Sequence, residues 1–258
     1  MYLTWLDSNS WLIEMGNKRI LLDPWLVGNL VFGNMPWLFQ GMRSQPRPIP
    51  EVIDLILLSQ GLEDHAHPDT LKQLDRSIPV VASPNAAKVV QELGYSQITS
   101  LAHGESYMLT DSVTIQAFPG SPIGPFLTEN AYLLREASSG QTLYYEPHGY
   151  HAEAVRAIAP VDVVITPMVS LEVPLLGAII QGHKTALQVA QWLRPQVMLP
   201  TAAGGDISFT GFLNSVLRGS GSIADLRTQL AENGLTTQVI EPKPGDRLEI
   251  SLENRVSV

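Results

Sequence analysis

Leu55-Ile56-Leu57-Leu58-Ser59-Gln60-Gly61-Leu62-Glu63-Asp64-His65-Ala66-His67-Pro68-Asp69-Thr70-Leu71 sets four consecutive apolar residues before a loop rich in histidine and carboxylate. An apolar run without alternation fits a strand buried on both faces of a parallel sheet. Ionisable groups directly after such a strand stand where α/β sheets collect ligand-binding and catalytic residues. Thr70–Leu74 reads as a short helix closing the unit.

Upstream, Tyr2–Leu6, Ser10–Glu14 and Arg19–Leu22 read as a β-meander ending at Asp23-Pro24. Residues 25–50 mix Trp25, Phe32, Trp37 and Phe39 with Gly and Pro and keep no period, so a long ordered loop is expected. Downstream come strand Pro79–Ala82, helix Asn85–Leu93, and strands Ser106–Met108, Val113–Phe118, Ala131–Arg135 and Thr142–Tyr145. Next are helix Ala152–Ile158, buried strand Val161–Thr166, amphipathic helix Thr185–Leu193 and strand Val197–Pro200. Helix Ile223–Asn233 and strands Thr237–Glu241 and Arg247–Leu252 close the chain. This order describes two similar halves, each a sheet with helices outside. The composition is even and no Gly/Ser linker intervenes, so residues 1–258 read as one α/β domain with two layers of sheet.

The 258 residues are 45% apolar and 16% charged, which supports a large core and excludes intrinsic disorder. Sixteen Lys and Arg against 25 Asp and Glu give a net charge of −9, without the basic face that nucleic acid requires. Cysteine is absent, which removes disulfides, thiolate metal sites and thiol nucleophiles. Met1–Gly16 lacks the basic start and apolar stretch of a signal peptide. The most apolar long stretch, residues 161–181, is broken by Asp162, Pro167, Glu172 and Pro174, so no membrane span and a cytoplasmic protein are expected. No Gly-x-Ser-x-Gly elbow supports a serine nucleophile.

The six histidines are His65, His67, His103, His148, His151 and His183. Asp64, His65 and His67 come after the Leu55–Leu58 strand, and Glu146, His148 and His151 after Leu143–Tyr145. Two such clusters at strand ends can converge on one metal, and imidazole nitrogen with carboxylate oxygen suits zinc, manganese or iron. The same residues also suit hydrogen-bonded loop histidines with no metal role.

The Leu55–Leu71 stretch resembles the signature loop of the metallo-β-lactamase superfamily, Ser/Thr-His-x-His-x-Asp-His after a buried strand. Trp5-Leu6, Trp11-Leu12-Ile13-Glu14 and Arg19-Ile20-Leu21-Leu22-Asp23-Pro24-Trp25 resemble the opening hairpin of its lactonase-like branch. That branch includes ascorbate-6-phosphate lactonase and an N-acyl-phosphatidylethanolamine phospholipase D. Leu143-Tyr144-Tyr145-Glu146-Pro147-His148-Gly149-Tyr150 lies where the family has a strand followed by Gly-Asp. Gly182-His183 is similar to the branch's late His-then-helix unit. The resemblance spans Tyr2–Gly205 and implies a four-layer αββα sandwich.

The resemblance sets Gln60 and Leu62 at the first two ligand histidines, Ser121 near the third, and Ala202 or Ala203 at the late one. The implied first-metal site has therefore lost its imidazoles. Asp64 and His65 remain for the second metal, with His148 in place of the bridging Asp. The resemblance thus implies a hydrolase-like protein with one divalent metal (zinc, or manganese or iron) on Asp64, His65 and His148. Asp64 and His183 are the implied catalytic residues, and Asp23, Gln60, His67, Glu146 and His151 the supporting groups or further ligands. The alternative is a metal-free ligand-binding or scaffold protein on the same fold. The substrate class is a small ester, lactone or phosphodiester.

Trp25–Phe39 and Val169–Ile180 flank the site loops, to line a pocket for an apolar or acyl-bearing ligand or to form a homo-oligomer contact. Lys184, Arg43 and Arg47 are the basic residues near the cleft. Thr201–Asp206 reads as a strand-to-loop turn or an anion cradle.

Overall fold

The computed structural model describes residues 1–124, 126–174 and 177–253. In chain order the first half holds β1 (Tyr2–Trp5), β2 (Trp11–Met15), β3 (Lys18–Leu22), β4 (Leu30–Val31), β5 (Gln40–Arg43) and β6 (Leu55–Leu58). It continues with α1 (Pro68–Gln73), β7 (Val80–Ala82), α2 (Pro84–Glu92) and β8 (Ile98–Ser100). The second half holds β9 (Ser106–Leu109), β10 (Val113–Ile123), β11 (Leu127–Glu136), β12 (Thr142–Tyr145), β13 (Val163–Thr166), β14 (Ser170–Val173) and β15 (Gly177–Gln181). Then come α3 (Gly182–Leu193), β16 (Val197–Pro200), β17 (Ile207–Thr210), α4 (Phe212–Val216), β18 (Arg218–Ser220), α5 (Ile223–Glu232), β19 (Gln238–Val239) and β20 (Arg247–Glu249).

Two seven-stranded sheets dominate, with orders β20-β1-β2-β3-β6-β7-β8 and β19-β16-β13-β12-β11-β10-β9. Strands β3, β6, β7 and β8 pair in parallel, as do β12, β13, β16 and β19. Leu55 and Leu57 face the other sheet, whereas Ile56 and Leu58 face α1 and α2. That is why Leu55–Leu58 shows no alternation: both of its faces are buried. Val163 and Ile165 likewise face inward, and Val164 packs with Ala186, Val189, Ala190 and Leu193 of α3. The inner core between the sheets is built from Trp5, Trp11, Ile13, Tyr132, Leu134 and Tyr145 with the inward strand residues. The result is an αββα sandwich, as the resemblance implies.

Two expectations need correction, and one apolar stretch takes a definite form. Residues 25–50 are not simply a loop. β4 pairs with β5, and β5 with β17 from far along the chain, in a three-stranded sheet. The apolar stretch 169–180 is the β14–β15 hairpin, with residues 175 and 176 outside the described set, and β18 pairs on its edge. The segment Glu153–Ile158 is a 3₁₀ helix rather than an α-helix, since so short a piece ending at Ala159-Pro160 has little room for α turns. No helix among the described residues is long and apolar enough to cross a membrane.

Candidate metal centre and its cavity

The parallel strands end on one edge of the sandwich, and their loops meet there. Leu62 O accepts from His65 N at 3.0 Å and from Ala66 N at 2.8 Å, a tight turn that presents Asp64 and His65. Across the cleft, Glu146 Oε2 accepts from the backbone N–H groups of His148 (3.1 Å), Gly149 and Tyr150 (2.8 Å). Gly149 sits at φ +82, and a Cβ there would meet Gln181 O at 2.6 Å. Only glycine closes this turn against β15, and His148 O in turn accepts from Gln181 N at 2.8 Å. The turn fixes His148, whose ring meets that of His65 edge-on at 5.1 Å. One ligand atom each from Asp64, His65 and His148 lies within 4.8 Å of the others.

Each imidazole is oriented by a buried carboxylate. His65 Nδ1 lies 2.7 Å from Asp23 Oδ2, which also accepts from Tyr145 OH at 2.7 Å and Ser59 Oγ at 2.5 Å. Asp23 Oδ1 accepts from Ser59 N at 2.7 Å. A carboxylate accepts only, so the proton sits on Nδ1 and Nε2 faces Asp64 Oδ2 at 3.2 Å. His148 repeats the pattern, with Nδ1 2.7 Å from Glu129 Oε1. Burial works against a charge on His65, but Asp64 and Asp23 outweigh it and hold its pKa well above 6.5. Burial also opposes ionisation of Asp64, yet His65 beside it brings the carboxyl below its ordinary value.

Several acceptors here lack donors. Asp64 Oδ1, Gln60 Oε1, Glu129 Oε2 and Glu146 Oε1 are buried with no hydrogen-bond partner, and all belong to the two loops or to the residue that grips His148. Buried polar atoms are normally satisfied. The unpartnered Asp64 oxygen beside two imidazoles is donor chemistry that a divalent cation satisfies. The residues present therefore fit a metal.

The other candidates lie elsewhere. Asp23 stands behind His65 and touches the cluster only through that ring. Gln60 is buried with its Oε1 unpaired. Glu146 is committed to its turn, and its pKa is raised well above the usual carboxylate range by burial and by Glu129. His67 caps α1 through Nδ1, which accepts from Thr70 N at 3.3 Å, while Nε2 lies 3.2 Å from Asn29 O. His151 sits between Tyr144 OH (3.3 Å) and Thr166 Oγ1 (3.4 Å), and burial drives its pKa down to about 3. Neither histidine joins the Asp64 cluster, because each spends both ring nitrogens on its own surroundings. His183 lies in the first turn of α3, so close to Gly221 that a Cβ there would collide with its ring, and it does not line the cavity.

Asp64 and His148, with Ser8 and Asn9, form the polar floor of a cavity of about 640 Å³. The walls come from both three-stranded sheets, including Leu30 and Phe209 on one side and Leu171 and Ile180 on the other. Arg43 and Arg47 do not line it. Both bond Asp7 Oδ2, at 3.3 and 2.6 Å, and Arg47 also reaches Asp206. The N–H groups of Thr201 and Ala202 donate to Thr166 O and Ser8 O, so these two do not make an anion cradle.

A family model described as the beta-lactamase superfamily domain matches residues 2–202. The chain belongs to the metallo-β-lactamase superfamily. Within this superfamily it is 26% identical over 210 residues to a UPF0173 metal-dependent hydrolase of Pyrococcus furiosus, covering 77% of this chain and 82% of the relative. An isothiocyanate hydrolase from Delia radicum gut bacteria shares the fold at a TM-score of 0.69 and 17% identity, covering 97% of this chain and 99% of that one. A metallo hydrolase of Ignicoccus hospitalis matches at a TM-score of 0.68 and 15% identity, with the same coverage of 97% and 99%.

Two site residues escape the sequence reading. Glu129 is fully buried although it lies in a strand, where a glutamate reads as an outward charge. Asn9, whose Nδ2 lies 3.3 Å from His65 Nε2, is one polar residue in a turn. Neither carries a local signal, since only the pairing of distant strands brings them to the cluster.

Proposed function

We propose that the chain is a metal-dependent hydrolase of the lactonase-like kind, with one divalent metal on Asp64, His65 and His148 and the superfamily's first-metal position given up. The observation that carries this reading is the convergence of those three residues within 4.8 Å at the floor of a cavity. The Pyrococcus furiosus relative supports the same activity class. Zinc is the metal of choice for this donor set, with manganese or iron as alternatives. Asp64, His65 and His148 would hold the ion, which when bound would supply Lewis-acid polarisation and lower the pKa of a water toward ~7. Asp23 and Glu129 hold the two rings so that Nε2 of each is left for the centre. Asp64 Oδ1, unpartnered, is the atom placed to receive the proton of an attacking water. Apolar walls surround this polar floor. His183 lies outside the cavity lining.

A second reading has an observation of its own. An imidazolium on His65, held between Asp23 and Asp64, balances the cluster without a metal and suits a ligand-binding protein that turns nothing over. Metal analysis by mass spectrometry on untagged, chelator-free protein separates the two. About one equivalent, lost in Asp64→Ala and in His148→Ala, is expected. A value near zero that persists after soaking in zinc, manganese and iron refutes the hydrolase reading.

A further inference from the structure

We propose that Asn9 is a catalytic residue: its side-chain N–H groups hold the carbonyl oxygen of the bond being cleaved and stabilise the negative charge that develops there. The bond cleavage in this statement rests on the hydrolase reading; the placement of the donor rests on the turn that carries it.

Asn9 lies between β1 and β2 in a turn with unusual backbone. Asp7 and Ser8, at φ +77 and +50, are two successive non-glycine residues in the left-handed region. Such backbone persists only where its surroundings over-determine it, and it gathers at functional sites. Here the surroundings are specific. Ser8 O accepts from Trp5 Nε1 at 3.1 Å, Thr201 Oγ1 at 3.2 Å and Ala202 N at 3.2 Å. Asp7 is gripped by Arg43 and Arg47. The turn so held sets Asn9, 2% exposed, on the cavity floor with Asp64 and His148.

The hydrogen-bond network orients the amide. Thr201 Oγ1 accepts from Trp11 Nε1 at 3.2 Å, which leaves the hydroxyl proton for Ser8 O or for Asn9 Oδ1, 3.4 Å away. With Oδ1 toward Thr201, Nδ2 lies 3.3 Å from His65 Nε2. The Asp23 carboxylate keeps the ring proton on Nδ1, so Nε2 takes an N–H and would repel an amide oxygen. Nδ2 has no other hydrogen-bond partner among the described residues. A ligating imidazole gives its Nε2 lone pair to the ion, and the Asn9 N–H groups are then left beside the centre without a protein acceptor. A carbonyl oxygen entering the cavity satisfies them.

The bond changes balance with this chain's own groups. Water adds to the carbonyl carbon, its proton passes to Asp64 Oδ1, and the C=O π pair moves onto the oxygen that Asn9 holds. Collapse returns that pair and breaks the bond to the alkoxide, which takes the proton from Asp64. A donor fixed in place beforehand binds more strongly as charge grows on the oxygen, which favours the transition state over the substrate.

The test separates binding from turnover. Asn9→Ala removes the donors, and Asn9→Asp keeps the shape while replacing them with acceptors. With p-nitrophenyl butyrate, kcat should fall at least about 10²-fold in each, at a zinc content of about one equivalent. Calorimetry on zinc-loaded protein compares butane-1-boronic acid, which takes up hydroxide to become a tetrahedral anion, with butyramide, a planar carbonyl. In Asn9→Ala the boronic acid should lose about 10²-fold in affinity and butyramide no more than about tenfold, the difference between a charged and a neutral acceptor. In the unaltered protein, the assigned Asn9 side-chain N–H resonances should move downfield as the boronic acid binds.

Parental kcat in either variant, boronic acid affinity indifferent to Asn9, or resonances that stay in place overturn the inference. Loss of zinc in both variants does so too, since Asn9 would then serve the metal rather than the substrate. Boronic acid binding that depends on Asn9, in a protein that cleaves neither esters nor lactones, sustains the oxygen site and defeats the hydrolase reading. Ester cleavage undiminished in Asn9→Ala does the opposite.

Discussion

Asn in place of Asp23 separates what a buried carboxylate does for stability from what it does for the metal site. Asp23 has φ +43, a left-handed conformation that Asn also adopts, so the backbone need not move. The amide oxygen replaces Oδ1 and still accepts from Ser59 N. The amide NH₂ replaces Oδ2, where Ser59 Oγ, Tyr145 OH and His65 Nδ1 now converge. The amide has two N–H donors for these three groups, so Tyr145 OH and His65 Nδ1 accept from it while Ser59 Oγ turns toward His65 Nδ1, 3.1 Å away. What is lost is charge: bonds to ionised groups contribute about 1.5–3 kcal/mol and neutral ones about 0.5–1.5. Losing about 1 kcal/mol at each of three bonds gives about 3 kcal/mol, or roughly 6–12 °C in Tm for a chain of this size.

The metal site changes for a different reason. His65 Nδ1 must now accept from the amide, which sends the ring proton to Nε2, the nitrogen that faces Asp64. A protonated Nε2 cannot ligate, and metal affinity is expected to fall about 10–100-fold. The pH dependence has a definite sign. His65 is held above 6.5, so its favourable charge interactions are complete below pH 6.5 and fade as pH rises through the native value. The stability deficit of Asp23→Asn in chelated protein is therefore larger at pH 6 than at pH 9. Thermal unfolding at the two pH values and competition against a chromophoric chelator measure both effects. A Tm within about 2 °C of the parent, or metal affinity within about twofold, refutes the reasoning.

Glu129→Gln keeps the shape of the side chain but removes the carboxylate from His148 Nδ1, so metal affinity should drop about tenfold while the far-UV spectrum is unchanged. Parental affinity would show that Glu129 does not orient the ring. His151 is neutral in the native state down to about pH 3 and takes up a proton near 6.5 once unfolded. Stability should thus fall below pH 6.5 by up to about 1.4 kcal/mol per pH unit, and urea titrations of His151→Gln should show a flatter slope. Asp7→Asn strips the shared partner from Arg43 and Arg47 and should cost about 3–5 kcal/mol, with the cavity's ligand affinity reduced and metal content intact. Loss of metal in that variant would refute the separation of wall from centre.

The fold was legible because its information is local. Leu55–Leu58 and Val161–Thr166 announce strands buried on both faces, and α2, α3 and α5 keep an apolar stripe. Even so, α3 begins at Gly182, earlier than its periodicity suggests. A Cβ at Gly182 would lie 2.5 Å from both Val169 N and O, a close approach that no helical pattern encodes. Asp64, His65 and His148 were legible as candidates because each comes directly after a readable strand. Glu129 was hidden because the readable part of its strand begins at Ala131, and β4 and β5 by their brevity: β4 pairs only with β5, and β5 is completed by β17 from far along the chain.

The same division explains how the cavity holds its shape. Its floor is fixed by the sandwich, through strands whose registers place the loops. Its β4–β5–β17 wall is small and packs few apolar residues of its own, so nondirectional burial alone would leave its angle loose. The Asp7 carboxylate supplies direction. It is fully buried, bonds both Arg43 and Arg47, and accepts from Asp206 N at 3.1 Å through Oδ1. Arg43 stacks 4.1 Å over Trp25. Buried ion pairs seldom add net stability over apolar packing, but their geometry admits few arrangements. Here that geometry ties β5, the β1–β2 turn and the loop before β17 into one unit. The arginines that could have attracted anions to the cleft instead brace its wall, and the cavity they brace is left apolar.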